Sequence, residues 1–256
     1  MRPTNAVPVG VSHLRGTSRA SLLSPAELQE AVIASQISPN QPSAASWEFV
    51  EAFNSEDQVL VDARARAAVS GAVPVSTATG AALSVVAGLV DASSVAEIGT
   101  GAGVSGVWLL RGMRPDGVLT TVDDDGEQHR AARETFTASG VAPQRVRLIT
   151  GRALDVITRL TDGGYDMVVI DADPLELDAC IEEAKRLLRV GGALAVVHAL
   201  GADGVADTSQ RDAVSVAIRG AVSHIATDRS WAPVLLPVGD GLLVALRRAD
   251  EAPSGA

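Results

Sequence analysis

The chain has 256 residues and a formal net charge of −10, with 46% apolar residues, 3% aromatic residues and one cysteine. That length and apolar content suit one sizeable core with extensions. The acidic balance and the scarcity of aromatics argue against a nucleic-acid face, no apolar run reaches the ~20 residues that span a bilayer, and a lone Cys180 leaves no internal disulfide. A soluble cytoplasmic protein is expected, without a nucleic-acid or membrane partner, and the first residues lack the apolar run of a signal peptide.

Residues 1–23 carry Pro, Ser, Thr, Gly and Val without period and are expected to be disordered. N-terminal helices should fill 24–72, the main domain 73–248, and a disordered tail 249–256. Ser24-Pro25-Ala26-Glu27 reads as a capped helix start, with that helix running to about Ile37. A second helix, 44–54, holds Trp47, Phe49, Val50 and Phe53; these either pack on the main domain or form a lid or dimer contact. Ser55 is the expected cap of a third helix over 56–70, and 71–80 reads as a loop before a helix over 81–90.

From about Ser94 the chain alternates strand and helix. Strands are expected at 94–98, 118–123, 146–150, 166–171 and 193–198, the fourth apolar enough to be buried on both faces. A helix over 208–227 follows, and then two apolar runs, 231–237 and 242–247, joined by the short turn of a hairpin. The pattern is α/β, with parallel strands closed by an antiparallel pair.

The organising stretch is Val95 to Gly106, where a strand ends at Glu97-Ile98 and glycines stand at 99, 101 and 103. Strand, glycine turn and helix make the usual entrance to a nucleotide pocket. Gly101, Gly103 and Gly106 also fit the dinucleotide pattern G-x-G-x-x-G, yet Glu97 would face a negative pyrophosphate. A cationic ligand without phosphate fits better. Polar residues then gather at the strand ends: Asp123-Asp124-Asp125, Thr150-Gly151-Arg152-Ala153, Asp171-Ala172-Asp173 and His198. Asp123 suits ribose hydroxyls, with Asp124 beside it as a second candidate or a helix cap. Ser105 stands where its hydroxyl meets the ligand at the helix start.

Glu97-Ile98-Gly99-Thr100-Gly101-Ala102-Gly103 resembles the first motif, E-x-G-x-G-x-G, of class I S-adenosylmethionine-dependent methyltransferases. Across 73–247 the chain resembles the cation-dependent O-methyltransferases, the group of catechol and caffeoyl-CoA O-methyltransferases, and most of all those of actinobacteria. The resemblance implies a Rossmann-like sheet of seven strands, mostly parallel, with an antiparallel last strand. It implies S-adenosylmethionine as cofactor, held by Val75, Glu97, Gly99, Thr100, Gly101, Gly103, Ser105, Asp123, Asp124, Ala153 and Asp171, and methyl transfer to oxygen of a small acceptor by a homodimer. It also implies a divalent cation on Asp171, the candidate catalytic residue. The family's next positions depart from its pattern, however: its Lys position holds Pro174 and its Asp-Asn position holds His198-Ala199, a poor set for Mg²⁺ even with Asp173 or Asp203 nearby. His198 therefore reads as a general base or an ordinary strand-end histidine. Two other readings are a cofactor-binding protein without catalysis and an NAD-dependent oxidoreductase, the latter disfavoured because Tyr165 is the only tyrosine.

Overall fold

A computed structural model of the chain describes residues 42–249. The expectations for 1–23, for the helix starting at Ser24 and for the tail past Ala249 lie outside the described residues. Three helices come first, α1 (Ala44–Ala52), α2 (Gln58–Ser70) and α3 (Thr77–Leu89). The alternation follows: β1 (Ser94–Ile98), α4 (Val104–Gly112), β2 (Val118–Asp123), α5 (Gly126–Ala138), β3 (Val146–Thr150), α6 (Ala153–Ile157), β4 (Tyr165–Ile170), α7 (Leu177–Leu187), β5 (Leu188–Val197) and α8 (Ala213–Thr227). The hairpin of β6 (Trp231–Leu236) and β7 (Leu242–Arg247) closes the chain.

The seven strands form one sheet in the order β3-β2-β1-β4-β5-β7-β6. Strands β1 to β5 pair in parallel, whereas β7 runs antiparallel to both β5 and β6. This is the Rossmann-like sheet with a reversed last strand that the sequence led us to expect. Strand order reverses between β1 and β4, which is where open α/β sheets form a crevice.

Both faces are covered, so the central strands are apolar on each side. Val95, Met167 and Val169 join one core with Leu60, Leu83, Trp108, Leu109 and Phe136. Their alternates Ala96, Ile98, Val168 and Ile170 join the other, with Ile157, Ile181, Leu187, Ile218 and Trp231. Cys180 lies in this second core, and burial pushes its thiol up to about 12, so it is packing rather than a nucleophile. At the amino end of the sheet, Asp166 accepts from the Ser93 and Ser94 N–H groups and the Ser93 hydroxyl, while Arg189 Nε donates to it at 2.6 Å. These partners outweigh burial and hold the Asp166 carboxyl below its ordinary range.

Several expected boundaries shift. The cap of α2 is Asp57, which accepts from Leu60 N, and not Ser55. The segment 77–80 is helix, because Ser76 caps it by accepting from Thr79 N and starts α3 four residues early. Helix α8 starts only at Ala213, capped by Asp212, and β5 reaches back to Leu188. The aromatics in and just past α1 stay outside the core: Trp47, Phe49 and Phe53 are 38%, 68% and 74% exposed.

Helices α3 and α4 cross on small residues. A Cβ on Gly80 would meet the Trp108 ring at 2.3 Å, and one on Gly112 would sit 2.0 Å from the Ser84 carbonyl oxygen. That oxygen is backbone and cannot swing aside. Gly112→Ala should therefore destabilise the fold by about 1–3 kcal/mol, read from urea unfolding midpoints. An unchanged midpoint would mean that the crossing adjusts freely.

Candidate functional site

The site is built at the carboxyl ends of β1, β2, β4 and β5. Strand β1 leads into Gly99, whose φ is +94°. Gly99 N donates to Val122 O at 2.8 Å, and Asp171 N donates to Ile98 O at 2.7 Å, so the turn is tied to the strand on either side. A Cβ at Gly99 would stand 2.0 Å from the Asp171 carbonyl oxygen, so this position admits only glycine. At the end of β2, Asp123 Oδ2 accepts from Thr100 N at 3.0 Å and Gly101 N at 2.9 Å, and Oδ1 accepts from Asp125 N at 3.0 Å. One carboxylate thus holds the turn in shape. Helix α4 then opens at Gly103 with no side-chain cap, leaving N–H groups of its first turn facing the crevice.

Glu97 is fully buried beneath this turn. Its Oε2 accepts from the Thr121 hydroxyl at 2.7 Å, and Thr121 and Thr100 hydroxyls are 2.7 Å apart. Among the described residues no donor lies within hydrogen-bond geometry of its Oε1. Burial pushes the Glu97 carboxyl up to about 7; the Ser105 and Thr121 hydroxyls offset part of that rise, and the Asp171 and Asp123 charges add to it.

Two adjoining cavities share Gly99, Asp123, Asp171 and Ala172. The larger, about 520 Å³, is within the usual range for small-molecule sites. Val75, Thr100, Gly101 and Ser105 line it at one end, and Pro174, Leu177, His198 and Ile218 at the other. The smaller, about 390 Å³, is lined by Asp124, Arg152, Ala153 and Asp173. Of the residues expected from sequence, Val75, Gly99, Thr100, Gly101, Ser105, Asp123 and Asp171 face the larger cavity, and Asp124 and Ala153 the smaller. Glu97 and Gly103 line neither and lie behind the turn. The helix cap is Asp125, which accepts from Glu127 N.

At the far end of the larger cavity, burial pushes the Asp171 carboxyl up to about 6, partly opposed by His198 and reinforced by Asp123. His198 Nε2 is 3.8 Å from Asp171 Oδ1, and its Nδ1 is 3.4 Å from Asp240 Oδ2.

Residues 53–248 match the O-methyltransferase family. The chain belongs to this family. A protein of Mycobacterium tuberculosis (strain ATCC 25618 / H37Rv) named "Probable O-methyltransferase" is 47% identical over 213 residues, which cover 82% of this chain and 95% of that one. The O-methyltransferase TomG from Streptomyces achromogenes, solved in complex with SAM, superposes with a TM-score of 0.73 at 27% identity, covering 82% of this chain and 100% of that chain. An O-methyltransferase from Bacillus cereus, solved with SAH, gives a TM-score of 0.72 at 25% identity, covering 80% and 98%.

For this member of the family the donor set does not fit a divalent cation. Asp171 and Asp240 lie on opposite nitrogens of His198 and so do not converge on one point. Asp173 turns away to cap its own loop, accepting from Leu175 N at 2.9 Å, and Asp203 lines neither cavity. Among the described residues no group of three or more His, Cys, Asp or Glu is arranged to hold a metal ion. Sequence reading missed Asp240, which sits in the hairpin turn, and the apolar wall of Leu177 and Ile218, which looks like ordinary helix core.

Glu97 generates a stability prediction. A carboxyl whose folded value is raised contributes stability below its unfolded value near 4.5, and that stability is lost as pH rises through about 7. Glu97→Gln stays neutral throughout. The variant should gain on the wild type between pH 5 and 8, approaching ~3 kcal/mol at the alkaline end, in urea unfolding of the ligand-free protein. A pH-independent gap would assign the effect to packing.

Proposed function

We propose that this protein transfers the methyl group of S-adenosylmethionine to an oxygen of a small, uncharged acceptor. The observation that carries it is the charge of the crevice. Beside the glycine turn and the open end of α4 stand the carboxylates of Asp123 and Asp171, and among the described residues no Lys or Arg lines the larger cavity. That surroundings suits a ligand with sulfonium and ammonium groups and opposes the pyrophosphate of a dinucleotide. The relatives solved with SAM and SAH support the same reading.

S-Adenosylmethionine supplies a methyl group activated by positive sulfur; the chain supplies position and electrostatics. Gly99, Thr100, Gly101 and Ser105 form the methionine end with Val75, and Glu97 and Gly103 support the turn from behind. A carboxylate has about four acceptor positions, and Asp123 spends three on Thr100, Gly101 and Asp125. It has room for about one ribose hydroxyl, and Asp124 is the next carboxylate in the groove. Ala153 lies on the adenine side. The acceptor occupies the wall of Pro174, Leu177 and Ile218, facing Asp171. We also propose a cytoplasmic homodimer, supported by the exposed pair Phe49 and Phe53, whose ring centroids are 6.2 Å apart.

Calorimetry with S-adenosylhomocysteine tests the cofactor. Binding is expected, and Asp123→Ala should weaken it at least tenfold, about 1.5 kcal/mol or more, because it removes both a ribose partner and the brace of the turn. NAD binding in place of S-adenosylhomocysteine would replace this reading. Sedimentation should show a dimer that Phe49→Ser with Phe53→Ser converts to monomer; a monomeric wild type would remove that proposal.

A further inference from the structure

We propose that His198, oriented by Asp240, takes the proton of the acceptor hydroxyl, so that methyl transfer needs no bound cation. The inference rests on the methyltransferase reading above. It starts from a strained backbone. His198 is the first residue past β5 and has φ of +54°, a conformation seldom taken by residues other than glycine. The surrounding structure imposes it. Ala199 N donates to Gly241 O and Leu200 N to Asp240 O, both at 3.0 Å, and Ala202 N donates to Asp240 Oδ1 at 2.8 Å. The hairpin turn is therefore laced to the end of β5. Its other side is held by α1, where Glu51 Oε1 accepts from Gly239 N at 3.0 Å.

This lacing puts Asp240 Oδ2 beside His198 Nδ1 and turns Nε2 towards Asp171 and the larger cavity. An Nδ1–H facing Asp240 leaves the Nε2 lone pair for the acceptor. The separations of 3.4 and 3.8 Å exceed a hydrogen bond, as catalytic contacts often do before substrate arrives. Of the titratable residues lining that cavity, Asp123 is committed to the turn, leaving His198 and Asp171 near the apolar wall. Of these two, His198 has its far ring nitrogen beside a carboxylate of the hairpin turn, Asp240, which sets its orientation.

In the step itself the acceptor oxygen forms its bond to the methyl carbon as the carbon–sulfur bond breaks, and that electron pair stays on sulfur, which becomes neutral. The acceptor proton moves to Nε2. The imidazolium then lies between the Asp240 and Asp171 carboxylates and returns its proton to water when product leaves.

The test uses the full chain, saturated with S-adenosylhomocysteine in EDTA, with 4-nitrophenol as a chromophoric probe whose spectrum separates phenol from phenolate. The variants are His198→Asn, since Asn tolerates positive φ, and Asp240→Asn, which keeps an oxygen for Ala202 N. The wild type should bind the probe as phenolate. His198→Asn should bind it as neutral phenol, and Asp240→Asn should give a smaller phenolate fraction. Both should keep S-adenosylhomocysteine affinity within about twofold. Methyl transfer to phenols from labelled S-adenosylmethionine should survive EDTA and fall about 100-fold or more in His198→Asn. Phenolate formation in His198→Asn equal to wild type, phenolate only after Mg²⁺ or Mn²⁺ is added, or no spectral change in wild type that binds S-adenosylhomocysteine would each overturn the proposal. Failure of the wild type to bind S-adenosylhomocysteine would instead remove the reading beneath it.

Discussion

The site depends on one close approach, that of the backbone at Gly99 to the backbone at Asp171. Ile98 O accepts from Asp171 N, and no Cβ fits between Gly99 and the Asp171 carbonyl. This contact sets the gap between β1 and β4, where strand order reverses. With the two strands that close, the turn after β1 must climb over β2, and Asp123 is there to accept its N–H groups. Gly99, Asp123 and Asp171 then border both cavities. A side chain at 99 would separate the strands and undo the arrangement at three strand ends together.

Carboxylates at the two ends of β4 show how position divides structure from chemistry. Asp166, at the amino end, has a guanidinium and three donors from Ser93 and Ser94, and its carboxyl is held low. Asp171, at the carboxyl end, is half-buried with the His198 imidazole 3.8 Å away as counterpart, and desolvation pushes its carboxyl up to about 6. Glu97 is more extreme: it is fully buried, and its carboxyl is pushed up to about 7 despite the Ser105 and Thr121 hydroxyls. Burying a carboxylate short of partners costs free energy, and the fold carries that cost at the strand ends that border the crevice.

The sheet was legible because strand residues buried on both faces form nearly continuous apolar runs, as in Met167 to Ile170, and because three glycines at alternate positions have few structural explanations. The family resemblance came from the same residues. Boundaries were harder. Ser55 and Asp57 are both good caps, and the choice between them depends on which face of α2 packs, a tertiary matter. Gly80 suggested loop, yet it lies in the helix that Ser76 caps, and its missing Cβ leaves the space that the Trp108 ring fills. The pairing of His198 with Asp240 was out of reach, since it depends on how a hairpin turn 42 residues later folds back on the end of β5.

The cofactor end and the acceptor end also differ in how they are encoded. The first comes from one compact segment, Glu97 to Ser105, and from Asp123 on the neighbouring strand. The second is assembled from Pro174, Leu177, His198 and Ile218, which share no local pattern. A single charge pattern nonetheless governs both ends. In the larger cavity Asp123 and Asp171 face no Lys or Arg among the described residues, which favours a cationic methyl donor and opposes an anionic acceptor at close range. An acceptor in this pocket gains from burying apolar surface against Leu177 and Ile218 and from presenting a neutral hydroxyl to His198. Under the proposed function, donor and acceptor preferences are therefore two consequences of one electrostatic surface.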